Sequence, residues 1–231
     1  MRIADLNWLQ VEEYLARDDR IVLPIGSTEQ HGYLSLATDV ILAERVSVEA
    51  AEPLGVPVLP VLPFGVAPGF TAYPGTVSLS LDTFVTVLTE VLGPLHGQGF
   101  RRFLVVNGHG GNVAAEEPLL GWARAREGAR LRFHSWYAGE RTDAAAEALH
   151  PDPTHANWFE NFPWTRLAGV AMPVGTKPMV AIDELGGDPA EIRRALGDGT
   201  FGGSYELPDK EMLDLWEIAV SEVRDLLLSG W

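Results

Sequence analysis

The sequence predicts an α/β fold in which a mostly parallel sheet is flanked by helices. Short apolar runs that suit buried strands alternate with longer windows of helical periodicity, from the N-terminus to Trp136. The spacing leaves room for right-handed helical crossovers between successive parallel strands. With 231 residues, no internal repeat and no low-complexity linker, we expect a single domain covering 1–231.

The first part of the chain carries two predicted helices and two predicted strands. Residues 9–18 have helical periodicity, and RIVLPI at 20–25 is a continuous apolar run typical of a buried strand. The window 38–52 is helical again and begins with Thr-Asp, residue types that favour helix starts. PVLPVLP at 57–63 predicts the second strand.

The middle of the chain continues the alternation with two further helix and strand pairs. A helix is predicted over 81–97, and RRFLVV at 101–106 predicts the third strand. A helical window at about 112–127 then precedes RLRFHSW at 130–136, which predicts the fourth strand.

The pattern is weaker beyond Trp136. Residues 153–171 have helical periodicity, whereas 179–203 are rich in glycine and charged residues. The chain closes with an amphipathic pattern that predicts a helix over 208–229.

Composition excludes several classes of function. With 17 Lys+Arg against 32 Asp+Glu, the net charge is −15, and no basic cluster is present, so we expect neither nucleic acid nor an anionic membrane as partner. The absence of cysteine excludes a thiolate nucleophile, an iron–sulfur cluster and a cysteine-based zinc site. Without a secretion-signal pattern or 18 consecutive apolar residues, a soluble, cytoplasmic protein is expected.

Three polar clusters stand where loops of an α/β protein collect ligands. GSTEQHG at 26–32 follows the first predicted strand, NGHGGN at 107–112 follows the third, and THANWFE at 154–160 begins a helical window. Ligands bind beyond the carboxyl ends of parallel strands. Histidine and carboxylate ligands without sulfur suit Zn²⁺, Mn²⁺ or Fe²⁺, so these clusters and Asp39 are candidate metal ligands.

Each cluster also has a structural interpretation. Glu29 and His31 are compatible with a loop that carries a solvated acid, and NGHGGN with a tight turn in which Asn112 caps the next helix. His155 and Glu160 are five residues apart, so they do not share a face of a regular helix. Taken singly, the clusters leave both interpretations open.

Together, these clusters closely resemble the creatininase family of metal-dependent amidohydrolases. The shared motifs span 23–160 in the family's order, while the acidic C-terminal part is only loosely similar. They are LPIGSTEQHG at 23–32, Thr38-Asp39, Pro74-Gly75-Thr76, NGHGGN at 107–112, His155-Ala156 and Glu160. The resemblance implies a creatininase-like fold of the NGHGGN branch.

The resemblance also implies two divalent metal ions per chain, Zn²⁺ in first place and Mn²⁺ or Fe²⁺ as alternatives. Glu29 and His109 would hold one ion, His31 and Glu160 the other, and Asp39 would bridge them.

Two further positions complete the implied site. Creatininase has a carboxylate two residues after the histidine of its NGH motif, where this chain has Gly111. That role is assigned to Glu160, with Glu117 as the alternative. His155 matches a catalytic histidine of the family, and Glu29 is expected to be catalytic as well.

The segments that line the substrate side in relatives depart from the family pattern. The family's HGPHLPLGTD is HGYLSLATD here, and the histidine often found before PGT is absent from FTAYPGT. Thr154 replaces an acid that precedes the catalytic histidine in creatininase. These changes around Leu34, Tyr73 and Thr154 indicate an altered specificity, so creatinine itself is a less expected substrate.

The expected function is hydrolysis of a C–N amide bond by a metal-activated water, acting on a cyclic amide, a formamide or a short peptide. One alternative is a family member that opens a keto-inositol-type ring, and another is a non-catalytic oligomeric scaffold that keeps the fold. Phosphoester hydrolysis ranks lower, because it recruits Arg or Lys and only Arg166 and Lys177 are candidates.

The family resemblance further implies a homo-oligomer, often a hexamer. Aromatic residues in 157–164, with Trp216 and Trp231, would support an interface only if they were exposed.

Overall fold

The centre of the molecule is a parallel sheet of three strands. The structure, a computed structural model, describes residues 1–182 and 187–231. Its strands are β1 (Arg20–Ile25), β2 (Arg102–Asn107) and β3 (Arg130–Ser135), in that order. Ile25 pairs with Asn107 and Asn107 with Ser135, so the three strands end level at one edge. The predicted α/β fold with a parallel sheet flanked by helices is confirmed.

Helices cover both faces of this sheet. They are α1 (Trp8–Leu15), α2 (Thr38–Ala51), α3 (Leu81–Gln98), α4 (Glu116–Arg124), α5 (Glu140–Leu149), α6 (Pro189–Leu196) and α7 (Asp209–Leu228). The predicted helices at 9–18, 38–52, 81–97 and 208–229 are confirmed to within three residues. None of the helices in the described ranges has the length and apolar character needed to cross a membrane.

Strands β1 and β2 are buried on both faces, which explains their largely apolar sequences, whereas β3 at the edge of the sheet is only partly buried. Val22 and Leu104 point towards α2, α5 and α7, where Trp136 and Trp216 fill the core. Alternate residues such as Leu23 point the other way, towards α1, α3 and α4. Successive side chains of a strand point to opposite faces, so a doubly covered strand needs apolar residues throughout. The aromatic residues Trp158, Phe159, Phe162 and Trp216 are buried here, and they give no support to an interface.

The strand predicted over 57–63 is wrong as a continuous element. Only isolated parallel bridges join Val58 to Val22 and Leu62 to Ile25. Pro57, Pro60 and Pro63 have no N–H to donate, so this segment follows the edge of β1 without forming a regular ladder.

The helix predicted over 153–171 is also wrong. It contains a single 3₁₀ turn, Trp158–Glu160, because Ala156 has a φ of 59° and prolines interrupt the window at Pro153 and Pro163. The helix predicted over 112–127 is shorter than expected, since Gly110–Ala115 forms a 3₁₀ helix before α4 begins at Glu116.

Helix α5 lies outside every predicted element. Its N-terminus lacks a local side-chain cap, and the carboxylate of Glu222 in α7 takes that role. Glu222 accepts hydrogen bonds from the backbone N–H groups of Arg141, at 3.1 Å, and Thr142, at 3.0 Å.

The glycine-rich region 179–203 contains more structure than its composition indicates. Helix α6 begins at Pro189 and is capped by Asp188. At the borders of the region two short strands, β4 (Thr176–Lys177) and β5 (Gly203–Ser204), pair antiparallel.

Candidate metal centre

The loops after β1 and β2 meet the first turn of α2 at the carboxyl edge of the sheet. A Cβ on Gly26 would lie 2.7 Å from the backbone nitrogen of Val40, and one on Gly108 would overlap the backbone of Asp39. Glycine at these positions therefore lets α2 approach both strand ends closely. As a result, Asp39, in the first turn of α2, lies between the two loops.

The asparagines of NGHGGN fix the loop after β2. The side chain of Asn107 accepts from the backbone N–H of His109 at 3.0 Å and donates to its carbonyl oxygen at 2.7 Å. Asn112 donates to the carbonyl oxygen of Gly26 at 3.1 Å and accepts from the N–H of Val66 at 3.0 Å. Both asparagines hold the backbone in place, and Asn112 joins the two loops that carry the polar clusters.

Asp39 lies at the centre of five buried polar residues. Its Oδ1 is 3.0 Å from Nε2 of His31, and its Oδ2 is 3.2 Å from Nδ1 of His109. Glu29 Oε2 is also 3.2 Å from Nδ1 of His109, while Glu160 Oε2 is 3.7 Å from Nε2 of His31. All five side chains are buried.

These residues form donor groups that are able to hold metal ions. Glu29, Asp39 and His109 offer ligand atoms within 4.8 Å of one another, and so do His31, Asp39 and Glu160. Both oxygens of Glu29 and Oδ2 of Asp39 are buried without a hydrogen-bond partner among the described residues. Buried carboxylates in that state are costly unless a cation offsets their charge, so the donor set fits metal ions.

The hydrogen bonds of both histidines leave the appropriate nitrogen free for a metal ion. A carbonyl oxygen only accepts, so Nδ1 of His31 donates to Glu29 O at 3.1 Å, and Nε2 of His109 donates to Val66 O at 3.0 Å. When the rings are neutral, the lone pairs of His31 Nε2 and His109 Nδ1 are therefore on the side of the carboxylates. This is the tautomer that a metal-ligating histidine needs.

The electrostatics of the group favour bound cations. Burial opposes the charged form of His31, but Asp39 and Glu160 outweigh it and raise its pKa to about 10. Burial likewise opposes the charged form of His109, and Glu29 and Asp39 raise its pKa well above its usual value. Burial raises the pKa of Glu160 to about 7 against the opposing effect of His31. Without metal ions, protons on the histidines balance part of the carboxylate charge.

Glu160 owes its position to an unusual backbone conformation. Ala156 lies in the left-handed region, and its N–H donates to Oε2 of Glu160 at 2.6 Å. Non-glycine residues in this region are strained and depend on their surroundings. The carbonyl of Ala156 accepts a hydrogen bond from the hydroxyl of Thr200 at 3.2 Å, which helps to hold this conformation.

His155 stands beside both donor groups. Its Nδ1 is 3.8 Å from Glu29 Oε1 and 4.0 Å from Glu160 Oε2. Its Nε2 is 2.8 Å from the side-chain nitrogen of Gln30 and 3.0 Å from the carbonyl oxygen of Gln30. Burial, reinforced by His31, lowers the pKa of His155 well below its usual value, so the ring is neutral. The side-chain N–H of Gln30 can donate to Nε2, and the carbonyl oxygen of Gln30 can accept from it. The neutral His155 ring can therefore carry its proton on either Nδ1 or Nε2.

A cavity of about 710 Å³ opens above these residues. Its floor consists of the carboxylates and His109, and the glycine loop at 108–111 forms one side. The remaining wall residues are mostly apolar or aromatic; they include Pro68, Phe70, Tyr137, Phe159, Ile192 and Phe201. A cavity of this size suits a small-molecule ligand.

The structure brings Glu29, His31, Asp39, His109 and Glu160 together with His155, as the sequence predicted. Glu117 lies elsewhere, since its side chain is 75% exposed on α4 and pairs with Arg124. Thr154 lines the cavity, whereas Tyr73 does not, and the Tyr73 hydroxyl is 3.4 Å from Gly197 O.

Arg166 and Lys177 do not line the cavity. Arg166 pairs with Asp209 at 2.7 Å, and Lys177 with Asp198 at 2.5 Å. Gln30, Phe70, Tyr137 and Phe201 also surround the cavity or His155, although the sequence patterns predicted no role for them. Gln30 lies inside the STEQHG motif, a signal that could have identified it, but nothing in the sequence marks the aromatic residues.

The fold and the carboxylate–histidine donor groups are together typical of metal-dependent α/β hydrolases. The chain belongs to the creatininase family, since the family model described as creatinine amidohydrolase matches residues 4–163. The family includes amidohydrolases and peptidases, which are by name hydrolases of C–N bonds.

Two curated relatives extend the match beyond that range. The mycofactocin precursor peptide peptidase of Mycolicibacterium smegmatis is 31% identical over 78% of this chain and 79% of its own length. The 3-dehydro-scyllo-inosose hydrolase of Thermotoga maritima is 26% identical over 96% of this chain and 83% of its own length.

Solved structures of creatininase share the fold. One creatininase crystal structure matches with a TM-score of 0.82 at 24% identity, covering 98% of this chain and 96% of its own. Creatininase structures with a TM-score of 0.81 include a zinc–zinc type and a manganese form.

Proposed function

We propose that this chain hydrolyses a C–N amide bond with two divalent metal ions, held by Glu29, His31, Asp39, His109 and Glu160. The observation that carries this proposal is the position of Asp39. Its two oxygens face different histidines, so a single carboxylate belongs to two donor groups. A shared carboxylate is what a pair of ions about 3.5–4 Å apart requires. Zinc is the first candidate and manganese or iron the alternatives, because the ligands accept all three.

The bound ions would supply an activated water and polarise the scissile carbonyl group. The protein contributes the proton transfers. Glu29 Oε1 and His155 Nδ1 face each other at 3.8 Å beside the cavity. Glu29 would take a proton from the attacking water and pass it to the neutral His155, whose protonated ring would then give it to the leaving nitrogen. Gly110 and Gly111 line the cavity, and their backbone N–H groups would stabilise charge on the carbonyl oxygen.

The substrate is proposed to be a cyclic amide, a formamide or a short peptide. The peptidase named above supports a C–N bond as the target. Among the described residues that line the cavity there is no Lys or Arg, which argues against phosphoester hydrolysis.

A keto-inositol-type substrate is the second candidate. It is favoured by the similarity to the 3-dehydro-scyllo-inosose hydrolase, which extends over 96% of this chain. A non-catalytic scaffold is less favoured, because five ligand-type residues converge on one buried point. Two further properties stay predictions: assembly into a homo-oligomer such as a hexamer, and a cytoplasmic location.

Metal content measured by elemental mass spectrometry tests the centre. Wild-type protein purified without chelator is expected to hold about two divalent ions per chain, and Glu160→Gln about one. The control is Glu117→Gln, the same change at an exposed carboxylate, which should retain both ions. Wild-type protein without metal after incubation with Zn²⁺ or Mn²⁺ would overturn the proposal. Protein that holds both ions is then assayed on cyclic amides, formamides, short peptides and keto-inositols.

A further inference from the structure

The ring of His155 is enclosed by aromatic side chains. Phe70 stacks on it with ring centroids 5.0 Å apart and an interplanar angle of 19°. Phe201 lies on it at 4.8 Å with a tilt of 45°. The two phenyl rings also contact each other edge to face at 6.0 Å. Both line the cavity, so any group that reaches His155 from the cavity meets a phenyl ring.

Ile192 extends this aromatic surface. It belongs to α6, is buried, and its Cδ1 would lie 3.1 Å from a Cβ placed on Gly69, in the 3₁₀ turn Pro68–Phe70. Unlike the phenyl rings, Ile192 is not stacked on His155. We call Phe70, Ile192 and Phe201 the apolar wall.

Backbone contacts hold the apolar wall in place. Arg193 donates to the carbonyl oxygen of Ala72 at 2.7 Å and thereby joins α6 to the turn that carries Phe70. The N–H of Phe201 donates to the carbonyl oxygen of His155 at 3.3 Å. Lys177 binds the carbonyl oxygen of Thr200 at 2.6 Å, next to Phe201. Hydrogen bonds therefore hold the segments that carry Phe70, Ile192 and Phe201 in place.

The charges around the cavity favour an uncharged or cationic ligand over an anion. The described lining residues include the carboxylates of the metal centre and Asp143, and no Lys or Arg. The apolar wall offers a ligand neither a hydrogen-bond donor nor an acceptor from its side chains. Apolar groups gain free energy when they are buried against it.

We propose that the substrate carries a bulky, uncharged apolar group on its leaving nitrogen, bound by Phe70, Ile192 and Phe201. This inference rests on the proposed amide hydrolysis, in which His155 protonates that nitrogen. A proton donor must come within about 3 Å of the atom that it protonates. The substituent of the leaving nitrogen then lies beside the rings that enclose His155, whereas the acyl part faces the glycine loop.

The test uses amides that differ only in the leaving amine. Formamides and acetamides of methylamine, 3-methylbutylamine and 2-phenylethylamine have leaving groups of similar basicity, so differences in rate report recognition. With zinc-loaded protein, kcat/KM for the phenylethyl amides is expected to exceed that for the methyl amides by about tenfold or more. Binding of the same compounds is measured by calorimetry.

Ile192→Ala tests the wall without touching His155. The ratio of kcat/KM between phenylethyl and methyl amides is expected to fall about fivefold or more, because part of the apolar contact is removed. Val170→Ala, the same kind of truncation at an exposed residue outside the cavity, should leave this ratio unchanged. Equal losses on both amides in Ile192→Ala would overturn the inference.

The failure of the inference differs from the failure of the proposed function. Hydrolysis of all amides without preference for the bulky amines overturns the inference alone. If no amide is hydrolysed, the proposed function fails, and the calorimetric binding data then test whether the apolar wall binds the amine substituent. Tighter binding of the phenylethyl amides that weakens in Ile192→Ala supports the apolar site, and equal binding of all three amides overturns it.

Discussion

Asp39 is the residue on which both donor groups depend. Replacing it by Asn keeps the shape of the side chain but removes the negative charge that faces His31 and His109. We expect Asp39→Asn to bind both ions at least about tenfold more weakly, with a matching loss of hydrolysis. Metal titration of the chelator-treated protein measures this, with Asp143→Asn at the cavity rim as the control. Unchanged affinity for both ions would contradict a bridging role.

Gln30 is expected to act on His155 and not on the metal ions. Its side-chain nitrogen contacts His155 Nε2 at 2.8 Å and donates to the carbonyl oxygen of Gly199 at 3.0 Å. Gln30→Met fills a similar volume without either contact. We predict that kcat falls about tenfold or more while the metal content stays unchanged. Parallel kinetics and metal analysis distinguish this outcome from collapse of the site, in which both quantities fall.

At the scale of single residues, the sequence predicted which polar side chains meet at the carboxyl edge of the sheet but not their surroundings. Glu29, His31 and His109 follow strands whose apolar runs are easy to identify, so their common location is a consequence of a parallel sheet. Glu160 reaches them only because Ala156 adopts a left-handed conformation. No residue preference predicts that conformation at an alanine, since it is imposed by tertiary contacts.

At the scale of the elements, the structure depends on caps of two kinds. Helix α6 has its own signals, with Asp188 as cap and proline in the first turn, but the sequence pattern was interpreted only as rich in glycine and charge, and the helix was not predicted. The cap of α5 comes from Glu222, about eighty residues further along the chain, where no local pattern reveals it. The strands β1 and β2 were predictable because each is a largely continuous apolar run, and β3 because its residues alternate between polar and apolar.

The capping role of Glu222 leads to a prediction about stability. Glu222→Ala removes the hydrogen bonds to the N–H groups of Arg141 and Thr142 and to the Thr142 hydroxyl. We expect the free energy of unfolding to fall by about 1–2 kcal/mol, the range found for lost helix caps. Chemical denaturation of Glu222→Ala and of Glu217→Ala, an exposed residue of the same helix, provides the comparison. Equal stability of the two variants would show that α5 does not depend on this cap.

At the scale of the whole molecule, the metal centre links stability to pH. In the metal-free protein the pKa of His31 is raised from 6.5 to about 10, and that of His109 is raised as well. A histidine whose pKa is higher in the folded than in the unfolded protein adds to the free energy of unfolding. This contribution is complete at a pH below the pKa of the unfolded state and is lost as the pH rises through the pKa of the folded state. We therefore expect the Tm of metal-free protein to fall between pH 6.5 and 10.

Metal-loaded protein is the control for this pH dependence. Its histidines are already unprotonated, so the same alkaline loss is not expected, and bound metal should raise Tm at every pH in this range. Thermal scans of both forms across the range make the comparison. A parallel pH dependence of Tm in the two forms would contradict protonation of His31 and His109 in the metal-free protein.

The floor and the apolar wall of the cavity come from different parts of the chain. The floor is set by β1, β2 and α2, whose close approach leaves no space for a Cβ at Gly26 or Gly108. The wall is provided by the 3₁₀ turn at Phe70, by α6 and by Phe201, none of which belongs to the central sheet. Substitutions in the apolar wall can therefore change the shape of the cavity without altering the carboxylates and histidines of its floor. This division also marks α6 and the turn at 68–70 as the segments to randomise when a new substrate is sought by directed evolution.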